Sequence, residues 1–459
     1  MNVKFRLTIM SFMQFFVWAA WLITIANYWF GTKQWDGSNF GVIFSTMGIA
    51  SLFMPTITGI IADKWINAEK LYAILHILYA AAMFYLPQVE DPHTFFWVIL
   101  VAMCFYMPTI ALSNSISYTT LKNGNFDVVK NFPPIRVWGT VGFIAAMWLT
   151  NLTGNKASAN QFYIAGISAL LLGIYSFTLP ECKPLNLISE KKTFAQKLGL
   201  ESFKLFADYK MALFFIFSMF LGAALQLTNA YGDVFLDEFK LFPVFAESFV
   251  IKYSTIILSI SQISETLFIL AIPFFLKRFG IKWVIAIAMF AWVLRFGLFA
   301  FGDPSTNLWM IITSCIVYGM AFDFFNISGS LFVETSTTPK IRSSAQGLFM
   351  MMTNGFGAVF GSLISGWMIS KYFTTYYTNI GSLSKYVNSE ADNAHLLKFL
   401  KNKGISVLQN GNLSRALDVK DWHNIWLAFT IYVLVIALVF VVIFKHKHTR
   451  AEVEAINHL

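Results

Sequence analysis

The chain has 459 residues, of which 57% are hydrophobic, 17% aromatic and only 12% charged, with a mean hydropathy of +0.62. Soluble domains carry roughly a quarter of charged residues, so an ordinary soluble fold is excluded and a membrane-embedded one is expected. A net charge of +9 suggests a polyanion partner, but Lys and Arg gather in alternate loops (Lys4, Arg6, Lys64, Lys191, Lys192, Lys277, Arg278, Arg342, Lys445), which is a topology signal and argues against nucleic acid.

Runs of roughly 20 apolar residues, enough to cross about 30 Å of hydrocarbon, recur from end to end. About twelve are visible, near 5–28, 38–62, 71–88, 94–115, 135–153, 159–179, 211–234, 249–276, 282–301, 306–333, 344–371 and 424–444. The first is too long for a signal-peptide core and has no small-residue cleavage site before Tyr28, so it is expected to be retained. The turn after the second run, Gly59-Ile60-Ile61-Ala62-Asp63-Lys64, resembles the Gly-x-x-x-Asp-Arg/Lys signature of the major facilitator superfamily. Gly there permits close helix approach, and Asp63 can offer charge to a neighbouring helix end; an ordinary capped turn would read the same way. Of the three cysteines, Cys104 and Cys315 fall inside spans, so no disulfide framework is expected.

Between the sixth and seventh runs lies the longest polar stretch expected on the cytoplasmic side, with room for an amphipathic helix. It divides the chain into an N-terminal six-helix bundle (1–180), a linker (181–210) and a C-terminal six-helix bundle (211–459) with a periplasmic insertion near 372–422. Both termini are expected on the cytoplasmic side of a multi-pass membrane protein. A faint repeat supports the division. Tyr106 precedes Asn114 by eight residues and Tyr318 precedes Asn326 by eight; Pro133-Pro134-Ile135-Arg136 opens the fifth span, and Pro339-Lys340-Ile341-Arg342 the eleventh. Duplicated units are common in transporter folds.

The polar residues inside spans fall on single helical faces. Arg136, Thr140 and Phe143 share one face of the fifth span, and Gln226 and Asn229 one face of the seventh. Gln262 and Glu265 share a face of the eighth with Ser259, and Tyr318, Phe322, Asp323 and Asn326 lie together on the tenth. Amides, carboxylates and rings turned inward make a cavity that can hydrogen-bond a polar heterocycle and stack on its plane. Plainer readings stand beside this one. Gln226 and Asn229 also fit interhelical hydrogen bonding, Arg136 also fits snorkelling to headgroups, and Tyr318 with Phe322 also fits a packed core. His76 reads as a helix-packing histidine. Arg295 needs a partner, for which Asp303 is the candidate, while Glu334 and Asn354 fit either gating or packing.

A resemblance now joins these residues. The segments SFMQFFVWAAWL, NFPPIRVWGTVGF, LGAALQLTNAYG, SISQISETLFILAIPFF, VYGMAFDFFNISGSLFVE and SSAQGLFMMMTNGFG closely resemble the bacterial nucleoside:proton symporters, the nucleoside permease family of the major facilitator superfamily. The resemblance implies an all-α integral membrane protein of twelve transmembrane helices in two six-helix bundles. It also implies nucleoside contacts at Arg136, Thr140, Phe143, Gln226, Asn229, Gln262, Glu265, Tyr318 and Phe322, with Asp323 important for transport. Two departures are visible: Ala224 stands where relatives can carry a Glu, and the 372–422 segment is longer than usual.

The implied partners are nucleoside, protons and the bilayer, with no cofactor beyond the proton gradient. Asp323 and Glu265 are the candidates for proton coupling. In a low-dielectric bundle the charged form of a carboxylate is disfavoured, so such a group can load and release a proton between two access states. Two rivals keep the same fold, a sugar:proton symporter and a non-transporting substrate sensor. A membrane enzyme is disfavoured, because the histidines are scattered, none pairs with a Cys or carboxylate at ligand spacing, and no phosphate loop appears.

Overall fold

Inside a bilayer every backbone N–H and C=O must be satisfied within the protein, and a continuous helix does this segment by segment. The computed structural model, which describes residues 2–184, 200–338, 341–388 and 393–446, accordingly turns each apolar run into a helix. In chain order these are α1 (Val3–Lys33, with a π-helical last turn from Tyr28), α2 (Phe40–Lys64), α3 (Ala68–Tyr85), α4 (Pro92–Asn123), α5 (Val128–Leu152) and α6 (Asn160–Ser176). The second half begins with α7 (Tyr209–Glu238), followed by Ser254–Phe301, which breaks at Gly280 into α8 (254–279) and α9 (281–301), and then by α10 (Leu308–Ser336). The eleventh span, α11, joins Arg342–Met350 through a π-helical stretch, Met351–Gly357, to Ala358–Tyr372.

The break at Gly280 has φ 73°, a left-handed value that a side chain with a Cβ resists, and it lets two spans follow one another with almost no loop. Aspartates set several helix starts: Asp91 accepts from Thr94 N at 2.8 Å, Asp208 from Met211 N at 2.9 Å, and Asp421 from Asn424 N at 3.1 Å. Among the described residues nine helices are long and apolar enough to cross a membrane. One of the nine is the broken α8–α9 pair, and α5 and the 17-residue α6 complete the expected twelve.

Two six-helix bundles result, in the major facilitator fold. In the first, α1 packs on α5, α2 on α4 and α3 on α6; in the second, α10 and the last span pack on α8–α9, and α7 packs on α11. Across the halves α2 meets α11 and α5 meets α8. Gly41 approaches Ser362 and Gly366 so closely that no Cβ would fit there. All three cysteines are free.

The insertion holds the one sheet among the described residues. β1 (Thr374–Asn379) pairs antiparallel with β2 (Asn412–Lys420), Thr374 opposite Lys420 and Tyr377 opposite Leu417. Between the strands lie α12 (Ile380–Tyr386) and α13 (Ala394–Asn402), and α14 (Trp422–Ile443) then crosses as the twelfth span. Leu383, Leu396, Leu400, Leu417 and Val419 give this cap a small core of its own, joined by Leu241 from the short turn after α7. The expected amphipathic helix in the linker falls mainly on 185–199, and the second copy of the Pro-Ile-Arg repeat on Pro339 and Lys340; both lie outside the described residues.

Candidate functional site: a polar cluster between the two halves

Two of the helices that carry amides and carboxylates, α8 and α10, are held together by unusually close backbone contact. Gly319 on α10 faces α8 at a place where a Cβ would sit 2.5 Å from Ser264 C and 2.6 Å from Glu265 N. Ser264 Oγ donates to Ile316 O in the same seam. The approach places Glu265 beside the α10 turn that carries Tyr318, Phe322 and Asp323. Each of Glu265 and Asp323 lies in the other's field and in that of Arg136 from the opposite half, although no ion pair joins them among the described residues.

The cluster leaves acceptors without donors. Gln226 Oε1 on α7, Gln262 Oε1 on α8 and Asp323 Oδ2 on α10 are all buried and find no hydrogen-bond partner among the described residues. Asp323 is only 4% exposed. Buried polar atoms are nearly always satisfied, because each orphan costs roughly 1–3 kcal/mol. Three orphaned acceptors on three adjoining helices mark a place prepared for donors from a ligand or a proton. Asn229 and Glu265 are half-buried one helical turn from Gln226 and Gln262 respectively.

Rings surround these groups. Tyr318 and Phe322 stack with centroids 5.7 Å apart and planes 7° from parallel. In the first half, Phe143 stands edge-on to Trp18 at 6.3 Å, and Thr140 is half-buried one turn before it on α5. The Arg136 guanidinium lies 4.0 Å from the Phe15 ring centre. A small cavity lined by Leu225, Trp292, Phe322, Asn326 and Asn354 opens beside the stack, and Asn354 belongs to the π-helical stretch of α11. Such stretches often occur at functional sites.

A larger cavity, about 380 Å³, lies elsewhere, beneath the cap among Phe235, Glu238, Lys420 and Trp422. Its buried charges are already paired, Lys420 with Glu238 at 2.8 Å and with Asp418 at 3.0 Å. Unmet hydrogen-bonding capacity on facing helices, rather than volume, makes the central cluster the candidate site.

One expectation changes. Arg295 does not meet Asp303, which instead accepts from Ser305 N at 2.8 Å in a surface turn; the guanidinium points inward to Ser314 O at 2.8 Å. Asp63 is exposed and joins no ion pair among the described residues. His76 Nε2 lies 3.0 Å from Gln14 Oε1, within a buried network that also holds Tyr72 and Thr109. Phe15, Trp18 and Trp292 were missed by sequence reasoning; the signal available was the i, i+4 pairing of Gln14 with Trp18 and the i, i+3 pairing of Trp292 with Arg295.

Comparison with known proteins points one way. A family model described as Nucleoside H+ symporter matches residues 1–387. The chain is 47% identical over 464 residues to the xanthosine permease of Escherichia coli (strain K12), covering 100% of each. It is 45% identical over 451 residues to the nucleoside permease NupG of the same organism, covering 98% of each. The crystal structure of nucleoside transporter NupG matches with a TM-score of 0.82 at 45% identity, over 97% of this chain and 100% of that one.

Proposed function

We infer, because this chain belongs to the nucleoside H+ symporter family, that nucleoside and proton are bound for transport in the same direction at the polar cluster between its halves. The protein is a nucleoside:proton symporter of the major facilitator fold, a multi-pass membrane protein and not an enzyme. The sugar symporter and the non-transporting sensor give way to that assignment.

Residue roles follow from chemistry. A nucleoside offers ribose hydroxyls and base N–H groups as donors, and the orphaned oxygens of Gln226 and Gln262 are acceptors for them, while that of Asp323 is left for a proton. That match is the observation that carries the reading. Asn229 and Glu265 add polar contacts one turn away, Arg136 and Thr140 face the ligand from the first half, and Phe143, Tyr318 and Phe322 pack against its rings. Asp323 carries the coupled proton, with Glu265 able to combine protonation with ligand contact. Arg136 stabilises whichever carboxylate is ionised in one access state and releases it in the other.

The bundles span 1–180 and 211–459 around the 181–210 linker, with both termini on the cytoplasmic side of a bacterial inner membrane and the protein acting as a monomer. In that orientation the insertion faces the periplasm. The contacts joining the halves gather at the periplasmic ends of α1, α2, α5, α7, α8 and α11, so the state described here is closed to the periplasm.

Counterflow in proteoliposomes tests the reading. Labelled uridine should exchange against internal uridine or xanthosine and not against a galactoside. Galactoside exchange with none for either nucleoside would reject it.

A further inference from the structure

We propose that Arg295 is a positioning residue for nucleoside recognition, one guanidinium that fixes the Tyr318 ring on α10 and the Ser261–Gln262 turn on α8. The inference rests on the reading above that Tyr318 and Gln262 meet the nucleoside.

Arg295 is the most costly residue on α9. It is 1% exposed, sits within a span, and forms no ion pair among the described residues. A charge buried in a bundle without a counter-ion is expensive, and packing alone does not call for it, since Met or Leu would fill similar space. What Arg295 has in place of a carboxylate is a set of contacts to the site-bearing helices. Its Nη1 donates to Ser314 O at 2.8 Å and reaches Ser261 Oγ at 3.5 Å. Ser314 Oγ donates back to Arg295 O at 2.9 Å, so α9 and α10 are tied in both directions.

The guanidinium carbon stands 4.6 Å from the Tyr318 ring centre, nearer than to Phe299 at 5.0 Å or Trp292 at 6.0 Å. Tyr318 is the ring that stacks on Phe322, and Trp292 meets it edge-on at 5.8 Å. A cation over an aromatic face in a desolvated site fixes the plane of that face. Ser261 immediately precedes Gln262, whose Oε1 is one of the orphaned acceptors. One side chain therefore touches the stacking ring on one helix and the neighbour of the acceptor amide on the next, without facing the carboxylates that carry the proton. Its role is to set the geometry of recognition rather than coupling.

The test is a double-mutant cycle on purified protein, with uridine affinity measured by calorimetry and the proton:uridine ratio measured in proteoliposomes. Arg295→Gln should weaken uridine binding by about five- to thirty-fold, the range a desolvated cation–π contact implies, with the proton:uridine ratio unchanged. Arg295→Lys should recover part of the loss. In a Tyr318→Leu background, Arg295→Gln should change affinity by less than about twofold, because the ring it positions is gone. Wild-type affinity in Arg295→Gln, or penalties that multiply in the double variant, would overturn the proposal while leaving the site in place. Loss of the proton:uridine ratio would overturn it by moving Arg295 into coupling. An unaltered uridine affinity in Tyr318→Leu alone would remove the recognition reading itself, and this proposal with it. Should Arg295→Gln not be recovered folded, the same cycle is run with Arg295→Lys, where additivity with Tyr318→Leu is the overturning result.

Discussion

Two buried aspartates in this protein are treated in opposite ways. Asp233, near the end of α7, is 1% exposed and fully engaged: it accepts from Asn27, from Ser254 Oγ at 2.6 Å and from Thr255 Oγ1 at 3.0 Å, with Lys156 Nζ at 3.6 Å. Lys156 also meets Asp237 at 2.6 Å and Ser254 Oγ at 2.7 Å. Asp323, at mid-bundle, leaves one buried oxygen with no partner among the described residues. The first arrangement crosses between the halves, since Asn27 and Lys156 belong to one and Asp233 and Asp237 to the other. A saturated carboxylate at a seam acts as a fastening; an unsaturated one at the centre is a place for something to arrive.

The largest effect that would break this comparison is at the seam. Asp233→Ala leaves Lys156 with fewer partners in a buried setting, and removing one member of a buried ion pair costs about 3–5 kcal/mol. We expect a lower melting temperature and faster labelling of a cysteine placed at Ser362, where α2 and α11 touch. Unchanged labelling would mean that the cluster does not fasten the halves.

Asp323→Asn comes next, and it separates the two aspartates by function. Amide for carboxylate keeps the shape and removes the exchangeable charge, so uridine binding should persist while pH-driven accumulation in vesicles falls by tenfold or more. Wild-type uphill uptake would take Asp323 out of coupling and leave Glu265. Gln262→Ala follows: deleting one side of a buried hydrogen bond should weaken uridine binding by about 1–3 kcal/mol. If both Gln262→Ala and Asn229→Ala bound uridine normally, the cavity would be misplaced.

Acidity sharpens the contrast with little change in stability. Burial alone would lower the Lys156 pKa, but Asp233 and Asp237 outweigh it and hold the ammonium above its ordinary value. A raised lysine contributes stability below its unfolded pKa of about 10.4, and that stability is lost only as pH climbs through the folded value. The seam should therefore be indifferent to pH between about 5 and 9. Cysteine labelling at Ser362, in the absence of nucleoside and in the Asp323→Asn background, should be flat across that window; a pH-dependent rise would place a second titrating group at the seam. The smallest effect is at the cap, where the exposed Arg415 donates to Gln34 O at 2.9 Å. Arg415→Ala should change the melting temperature by no more than about 1 kcal/mol allows.

Much of this was legible in the sequence because the bilayer leaves few options. Apolar length fixed the spans, and the faces carrying Gln226, Gln262, Glu265 and Tyr318 followed from helical spacing. Contacts between distant segments were not legible. Lys156 lies in a short loop whose sequence says nothing of Asp233, and the partner suggested for Arg295 was a neighbour in sequence instead of a backbone carbonyl on another helix. The cap was opaque for a different reason: β1 and β2 are separated by two helices, so no turn signal pairs Thr374 with Lys420.

The cap belongs by chain connection to the second half, yet its reach extends to the first. Gln34, held at φ 56°, donates to Lys403 O and accepts from Arg415, and the Lys420 ammonium rests 4.0 Å from the Phe30 ring centre. Any rocking that parts the halves at this end must peel those contacts away. An antibody fragment gripping α13 together with the 31–36 turn would bridge both bodies and arrest the cycle, which makes this edge an epitope worth selecting against when a transporter is to be frozen in one state.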